Sequence, residues 1–225
     1  MISHKHKCIF IHIPKCAGTS IETALGHFDS HKGRGGQDHR SIRMIEKPVL
    51  TSAIFSDIEN FAEISRRVRH RFRTVKNPLN KETVTTEQYK NYYKFSFVRN
   101  PWARAFSWYK NVMRDQIHQE GLGITHDISF KEFLLQFAGE GMLRPQTYWL
   151  KSFDGKLHLD FIGKFEQLLE DFETVKEALH VSGIDLPHKI KGKTTGLRKH
   201  YDNESIEIIS NVYAEEIKLF DYSFE

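Results

Sequence analysis

Apolar residues recur with two different periods along this chain of 225 residues. Short runs with strand-like spacing at residues 9–13, 93–97 and 161–165 are each followed by a turn and then by apolar residues at helical spacing. Strands that alternate with helices predict a three-layer α/β fold, in which helices flank a mainly parallel sheet and the ligand binds beyond the carboxyl ends of the strands. The length suits a single domain over residues 1–225.

Capping boxes predict the starts of three helices, at residues 19–22, 56–59 and 129–132. In the second of these helices the apolar residues fall on one face, as in an amphipathic helix. They are Ile58, Phe61, Val68 and Phe72. Residues 76–92 and 115–127 are polar or contain glycine and are predicted to be loops, and a last helix is expected to begin near Asp202.

The first strand leads into a stretch with the features of a phosphate site. Pro14 cannot continue the strand ladder, and Gly18 allows the backbone to approach a ligand closely. The helix behind this loop directs free N–H groups and its positive dipole end towards the loop, and Lys15 adds a cation. We therefore expect the loop to bind an anion. It is not a P-loop of the G-x-x-x-x-G-K-[ST] type, because it is shorter and its lysine precedes the glycine.

The second strand ends in a similar turn. Asn100 is a favourable N-cap, and Pro101 fits the first helical position, where its missing N–H does no harm. Asn100, Arg104 and Ser107 share one helical face, and Arg99 stands in the turn above them. A guanidinium and a hydroxyl that converge near a helix start suit a phosphate group, so Arg99 and Ser107 predict a second anion site.

Taken together, the two stretches resemble the cofactor motifs of sulfotransferases that use 3′-phosphoadenosine 5′-phosphosulfate (PAPS). The motifs are IPKCAGTS at residues 13–20 and FVRNPWAR at residues 97–104, with Ser107. The likeness is greatest to the carbohydrate branch, which includes the heparan sulfate 2-O enzymes. DFIGKFE at residues 160–166 and FDYSF at residues 220–224 also resemble that branch. The resemblance implies transfer of a sulfuryl group from PAPS to a hydroxyl of a carbohydrate or glycoconjugate, with 3′-phosphoadenosine 5′-phosphate (PAP) as the product.

The resemblance also assigns roles to individual residues. The 5′-phosphosulfate would lie on the first loop, at Lys15, Cys16, Ala17, Gly18, Thr19 and Ser20. The 3′-phosphate would be held by Arg99 and Ser107. Lys15 would stabilise charge on the departing phosphate without a metal, and His39 resembles the histidine that serves the family as general base. Other candidate bases are His12, His126 and Glu22.

Two other classes of protein stay open on this evidence. A magnesium-dependent nucleotide kinase or NTPase is one, although the loop lacks the Lys-Ser or Lys-Thr pair that holds the metal. A non-catalytic module that binds acidic polysaccharide through the arginines of residues 66–73 is the other, although a solvated basic helix end explains those arginines equally simply. The basic loop at residues 189–199 is a further candidate for contact with cofactor or acceptor.

Composition narrows the remaining expectations. The formal charge of +4 suits an anionic ligand and is too small to argue for nucleic acid, and no apolar run is long enough to span a bilayer. Cys8 and Cys16 lie at opposite ends of the predicted strand, too far apart for a disulfide. With no signal peptide recognisable, we expect a cytoplasmic, bacterial protein, and with no metal-ligand spacing we expect no structural metal.

Overall fold

The computed structural model describes residues 1–31, 33–49, 51–55, 57–187 and 196–224. Within these ranges the α-helices are α1 (Gly18–Ala24), α2 (Ile42–Ile45), α3 (Thr51–Ile54), α4 (Ile58–Phe72), α5 (Thr86–Asn91), α6 (Pro101–Val112), α7 (Gln116–Leu122), α8 (Phe130–Phe137), α9 (Gln146–Leu150), α10 (Leu168–Ala178), α11 (Asn203–Val212) and α12 (Ala214–Leu219). The strands are β1 (Ile2–Ser3), β2 (Cys8–Ile11), β3 (Tyr93–Val98) and β4 (Phe161–Lys164). Short 3-10 segments are Pro78–Lys81, Gly141–Leu143, Phe165–Gln167 and Leu197–His200.

The four strands form one sheet in the order β1-β2-β3-β4. β1 is antiparallel to β2, whereas β2, β3 and β4 are parallel to one another. Successive side chains of a strand point to opposite faces, so Phe10 and Phe95 pack against α1 and α10, while Ile9 and Ile11 pack against α2, α5 and α9. Helices cover both faces, and the predicted three-layer α/β fold is confirmed.

A further apolar cluster lies beside the sheet, where α6 packs against α8 and α11. Trp102 and Phe106 contribute the inward face of α6, as their spacing predicts. This cluster holds α6 firmly, so the residues on its opposite, polar face have defined positions. No helix among the described ranges is both long enough and apolar enough to cross a membrane.

Three local predictions are wrong. The helix at residues 19–22 has no capping box, because α1 already begins at Gly18 behind Ala17. Residues 115–127 contain α7, whose start Asp115 caps with its side chain. Residues 76–92 contain a 3-10 turn and α5, which has a true capping box between Thr85 and Gln88. In the two predicted loops, capping side chains start helices in segments whose polar composition predicted none, and α1 starts ahead of its expected capping box.

Other boundaries match. Ser129 and Glu132 form the expected capping box of α8, and Asn100 accepts hydrogen bonds from two backbone N–H groups at the start of α6. Asp202 caps α11, although the helix breaks at Tyr213 before α12 begins. Of the box expected at residues 56–59, residue 56 lies outside the described residues, and Asp57 serves as the N-cap of α4. The basic loop at residues 189–199 falls mostly outside them as well.

The orientation of α4 is the reverse of what its amphipathic pattern indicates. Its polar side packs on the body of the protein: Glu63 accepts hydrogen bonds from Ser41 and Tyr148, and Asn60 donates to the carbonyl of Phe153 at 2.9 Å. Its apolar side faces outward. Polar bonds to side chains and carbonyls of the neighbouring elements, rather than apolar burial, therefore position this helix.

Candidate active site

The two predicted anion-binding turns meet at one edge of the sheet. β2 and β3 are adjacent and parallel, with Ile11 opposite Ser96, so the loop before α1 and the turn before α6 leave the sheet side by side. A cleft of about 450 Å³ opens there. Its walls include every predicted site residue except Cys16, namely Lys15, Ala17, Gly18, Thr19, Ser20, His39, Arg99 and Ser107.

The first loop is shaped by left-handed backbone conformations. Lys15 and Ala17 have φ angles of 70° and 65°, which turn the chain tightly and bring Ala17 to the N-cap position of α1. Gly18 is required for a different reason. A Cβ atom at this position would lie 1.9 Å from Cδ2 of His12, so the imidazole ring of His12 occupies the space that any side chain would need.

Lys15 is the loop cation, and its ammonium group donates a hydrogen bond to Oδ1 of Asn111 on α6 at 3.2 Å. Burial, together with the nearby charges of Arg99 and Arg114, lowers the pKa of Lys15 to about 8. A cation whose charge is costly in the unliganded cleft favours an anionic ligand, because a bound phosphate would stabilise the protonated form.

Cys16 points away from the cleft. Its side chain is buried in the core, and its thiol donates to Oε1 of Gln146 at 3.4 Å. Burial raises the pKa of the Cys16 thiol to about 12, so it is not a nucleophile at neutral pH. The contribution of Cys16 to the loop is structural.

Arg99 connects the two turns. Its guanidinium donates to the carbonyl oxygen of Lys15 at 3.0 Å and stacks on the ring of Phe165 at 4.0 Å. Its backbone is held on both sides by Gln146, which donates to the Arg99 carbonyl and accepts from the Arg99 N–H, each at 2.8 Å. Ser107 lies two turns along α6 and lines the same cleft. The arrangement keeps a guanidinium beside the first anion loop.

Two carboxylates, one buried and one exposed, hold this turn from behind. Glu216 is fully buried and accepts hydrogen bonds from the backbone and side-chain nitrogens of Gln146. Glu166 accepts from the N–H of Asn100 at 2.9 Å and from the hydroxyl of Tyr222 at 3.1 Å. The segments at residues 160–166 and 220–224 thus support the Arg99 turn, which explains why they accompany the two motifs.

His39 closes the cleft on the side facing the first loop. Its Nδ1 lies 3.2 Å from the carbonyl oxygen of His12. Since a carbonyl only accepts, Nδ1 carries the hydrogen, and Nε2 keeps a lone pair. Burial, with His12 nearby, lowers the pKa of His39 to about 3, so the ring is neutral at physiological pH. A neutral imidazole with a defined tautomer can accept a proton.

The competing bases are less suitable. The Nδ1 of His12 lies 3.1 Å from Oε1 of Glu22, and Glu22 is completely buried. Burial opposes ionisation of Glu22, but the attraction of His12 outweighs it and lowers the pKa of this carboxyl. Glu22 also accepts from the N–H of Asp38 at 3.0 Å. His126 is exposed and is not among the residues that line the cleft.

Several residues of the cleft have no counterpart among the sequence predictions. Asn111 continues the polar stripe of α6 one turn beyond Ser107, so helical spacing could have identified it. Arg34 forms an ion pair with Asp115, and Asn111 Nδ2 lies 3.2 Å from Nδ1 of His118. Asp115 and His118 escaped notice because their segment was predicted to be a loop.

A larger second cleft, of about 900 Å³, adjoins the first and shares Gly35, Gln37 and His39 with it. Its lining is strongly cationic. The basic residues are Arg40, Arg66, Arg69, His70, Arg73, Lys76 and Arg144. Arg40 is neutralised by a close ion pair with Asp38, and Arg66 donates to the carbonyl of His39 at 2.9 Å. The arginines of α4 therefore partly hold the fold together and partly line this cleft.

Comparison with known proteins agrees with this geometry. The family model described as "Sulfotransferase family" matches residues 1–223. Carbohydrate sulfotransferase 14 of Homo sapiens is 24% identical over 201 residues, which cover 79% of this chain and 45% of that protein. Carbohydrate sulfotransferase 11 of Mus musculus is 23% identical over 244 residues, covering 96% of this chain and 61% of that protein. The chain therefore spans less than two thirds of either relative. No solved structure matches it significantly.

Proposed function

This chain belongs to the sulfotransferase family, and we propose that it transfers a sulfuryl group from PAPS to a hydroxyl of an anionic carbohydrate or glycoconjugate. The single observation that carries the proposal is the convergence of Lys15, Arg99, Ser107 and His39 on one cleft. This cleft combines two anion-binding sites with a neutral imidazole that can accept a proton.

The cleft residues suit the donor. PAPS supplies an activated sulfuryl group and carries phosphate at two separate positions. The loop from Lys15 to Ser20 and the Arg99 turn offer two neighbouring anion sites. Lys15 would bind the 5′ side, where charge develops on the leaving oxygen, and Arg99 with Ser107 would bind the 3′-phosphate. Asn111 orients the Lys15 ammonium towards this position.

His39 would accept the proton of the acceptor hydroxyl at Nε2. Two contacts hold it in place: the carbonyl of His12 orients the ring, and Arg66 binds the carbonyl of His39 itself. Its low pKa makes it a weak base in the free protein. A bound anionic donor raises that pKa, because negative charge stabilises the imidazolium, so the base strengthens when the donor is present.

The second cleft would bind the acceptor. It meets the donor cleft at His39, and Arg69, Arg73, Lys76 and Arg144 line it. Such a lining favours an acceptor with carboxylate or sulfate groups, and the carbohydrate sulfotransferases named among the relatives support a sugar. The single domain and the cytoplasmic location stay predictions.

The proposal is tested by incubating the protein with PAPS carrying labelled sulfate and a panel of neutral and acidic oligosaccharides. We expect transfer to acidic sugars, with activity retained in a chelator. Binding of PAP without transfer to any hydroxyl would favour the polysaccharide-binding module instead. A strict requirement for added magnesium would favour the kinase class, although Cys16 stands where that class has a metal-binding hydroxyl.

A further inference from the structure

The outward side of α4 is an apolar stripe that the proposed chemistry does not use. Ile58 is 80% exposed and Phe72 is 81% exposed, and both are large side chains. The α4 stripe is defined by Ile58, Phe61, Val68 and Phe72, with the equally exposed Phe55 just before the helix. At 1.5 Å per residue the stripe runs for about 21 Å. Contiguous exposed apolar surface of this kind marks an interaction site.

Hydrogen bonds on the inner side of α4 fix the rotation of the helix with the stripe outward. Glu63 is only 1% exposed and is bonded to Ser41 and Tyr148. Arg67 donates to the carbonyl of Glu46 at 2.9 Å, and Arg66 to that of His39. Turning the apolar side inward would break these bonds and leave the buried hydroxyl groups of Ser41 and Tyr148 without their acceptor.

The charges around the C-terminal half of the stripe are positive. Arg69, Arg71 and Arg73 are exposed near its C-terminal half. Of the two acidic residues of α4, Glu63 is buried, whereas Glu59 pairs with Arg43 at 3.4 Å but is itself exposed near the N-terminal end of the helix. An apolar ridge rimmed by arginines is the arrangement of a helix that lies in the interface of an anionic bilayer.

We propose that the α4 stripe docks this protein on the surface of a membrane that contains anionic lipid. The helix would lie parallel to the bilayer plane, with Phe61 and Phe72 among the acyl chains and the arginines at the headgroups. A parallel pair of stripes from two copies of the chain would bring both arginine-rich halves together, whereas an antiparallel pair would keep them apart, so a second copy is an alternative outcome of the test. The proposal goes beyond the proposed function and does not depend on it.

Docking would also bring the second cleft, which is proposed to bind the acceptor, close to the membrane surface. Arg69 and Arg73 belong both to the rim of the stripe and to the lining of the cationic cleft. A protein held by the stripe therefore presents the edge of that cleft beside the lipid headgroups. Acceptors carried at the membrane surface would reach His39 more readily than acceptors free in solution.

The test is co-sedimentation of the full chain with phosphatidylcholine vesicles that contain or lack phosphatidylglycerol. We expect binding to the anionic vesicles that weakens with added salt. Phe61→Ser combined with Phe72→Ser should lower the partition coefficient about a hundredfold, since each large apolar group withdrawn from the interface costs about tenfold. Arg71→Gln should lower it about fivefold on anionic vesicles and leave it unchanged on neutral ones.

Leu135→Ser and Leu169→Ser are the matched controls. These leucines are 61% and 59% exposed but lie on α8 and α10, so their variants should bind vesicles like the parent. Circular dichroism confirms that each variant is folded. The proposal is overturned if the parent does not bind anionic vesicles, or if the Phe61 and Phe72 double variant binds as well as the controls. A dimer in solution that the same double variant dissociates, with no vesicle binding, would assign the stripe to a second copy instead.

Discussion

Replacing His39 tests the proposed base most directly, and the structure indicates which replacement to use. His39→Ala removes the ring and also the hydrogen bond from Nδ1 to the carbonyl of His12. His39→Asn is the sharper variant, because the amide nitrogen of asparagine can take the place of Nδ1 and keep that bond while nothing replaces Nε2. If Nε2 accepts the acceptor proton, both variants should lose about 10² to 10⁴ in kcat.

The pH dependence adds a second measurement, and its direction follows from the lowered pKa. In the free protein His39 takes up a proton only near pH 3, so the acidic limb of kcat/KM should lie well below the pH of about 6.5 expected for an unperturbed histidine. The bound donor should raise this pKa. The acidic limb of kcat should therefore lie at higher pH than that of kcat/KM, and both limbs should be absent in His39→Asn.

The same shift links His39 to stability. Its folded pKa of about 3 lies below the unfolded value of about 6.5, so the unfolded chain takes up the proton first as pH falls. The stability contributed by the neutral ring is complete above pH 6.5 and is lost as pH falls towards 3. Urea unfolding across this range should show a steeper loss for the parent than for His39→Asn. Normal turnover in His39→Asn would refute the role of His39 as the base. Identical unfolding curves for the parent and the variant would refute the lowered pKa of His39.

Three further predictions concern the donor side. Lys15→Ala should lower kcat by about 10² to 10³ with a smaller effect on PAP affinity. In the parent protein, kcat/KM should fall above about pH 8, where Lys15 loses its proton. Unchanged turnover in the variant would mean that the loop has another role. Calorimetry should show PAP binding more tightly than AMP, by about 1.5 to 3 kcal/mol for each charge-assisted hydrogen bond. Ser107→Ala should reduce this preference, and it is a cleaner test than Arg99→Ala, which also frees the Lys15 carbonyl. Gly18→Ala should displace the His12 ring and destabilise the protein by about 1 to 3 kcal/mol in thermal unfolding, and an unchanged midpoint would contradict the contact at 1.9 Å.

The two strand-turn-helix units could be predicted from the sequence, because each is encoded by a short local pattern of residues. The apolar runs, Pro14 and Asn100 mark where each strand ends and each helix begins, and parallel pairing then brings the two turns together. The family resemblance drawn from these motifs is confirmed by the match over residues 1–223.

What the sequence could not supply is the set of contacts between distant segments. Nothing near Arg99 indicates that Gln146 holds its backbone or that Glu216 holds Gln146. The pKa of His39 is likewise set by its depth and by His12, which lies 27 positions earlier in the chain. The reversed orientation of α4 has the same origin, since the partners of Glu63 come from residues 41 and 148.

The first loop and the Arg99 turn line one cleft rather than two, and the reason lies in the sheet. The register of β2 on β3 sets the separation between the first loop and the Arg99 turn. Arg99 then joins them, since its guanidinium binds the carbonyl of Lys15, the residue whose ammonium binds Asn111 at the wall of the cleft. A ligand with one phosphate can engage either turn, whereas a ligand with phosphates at both ends satisfies a spacing that the backbone has already established. The proposed recognition of a bisphosphate nucleotide would therefore follow from strand pairing as much as from the identity of the cations.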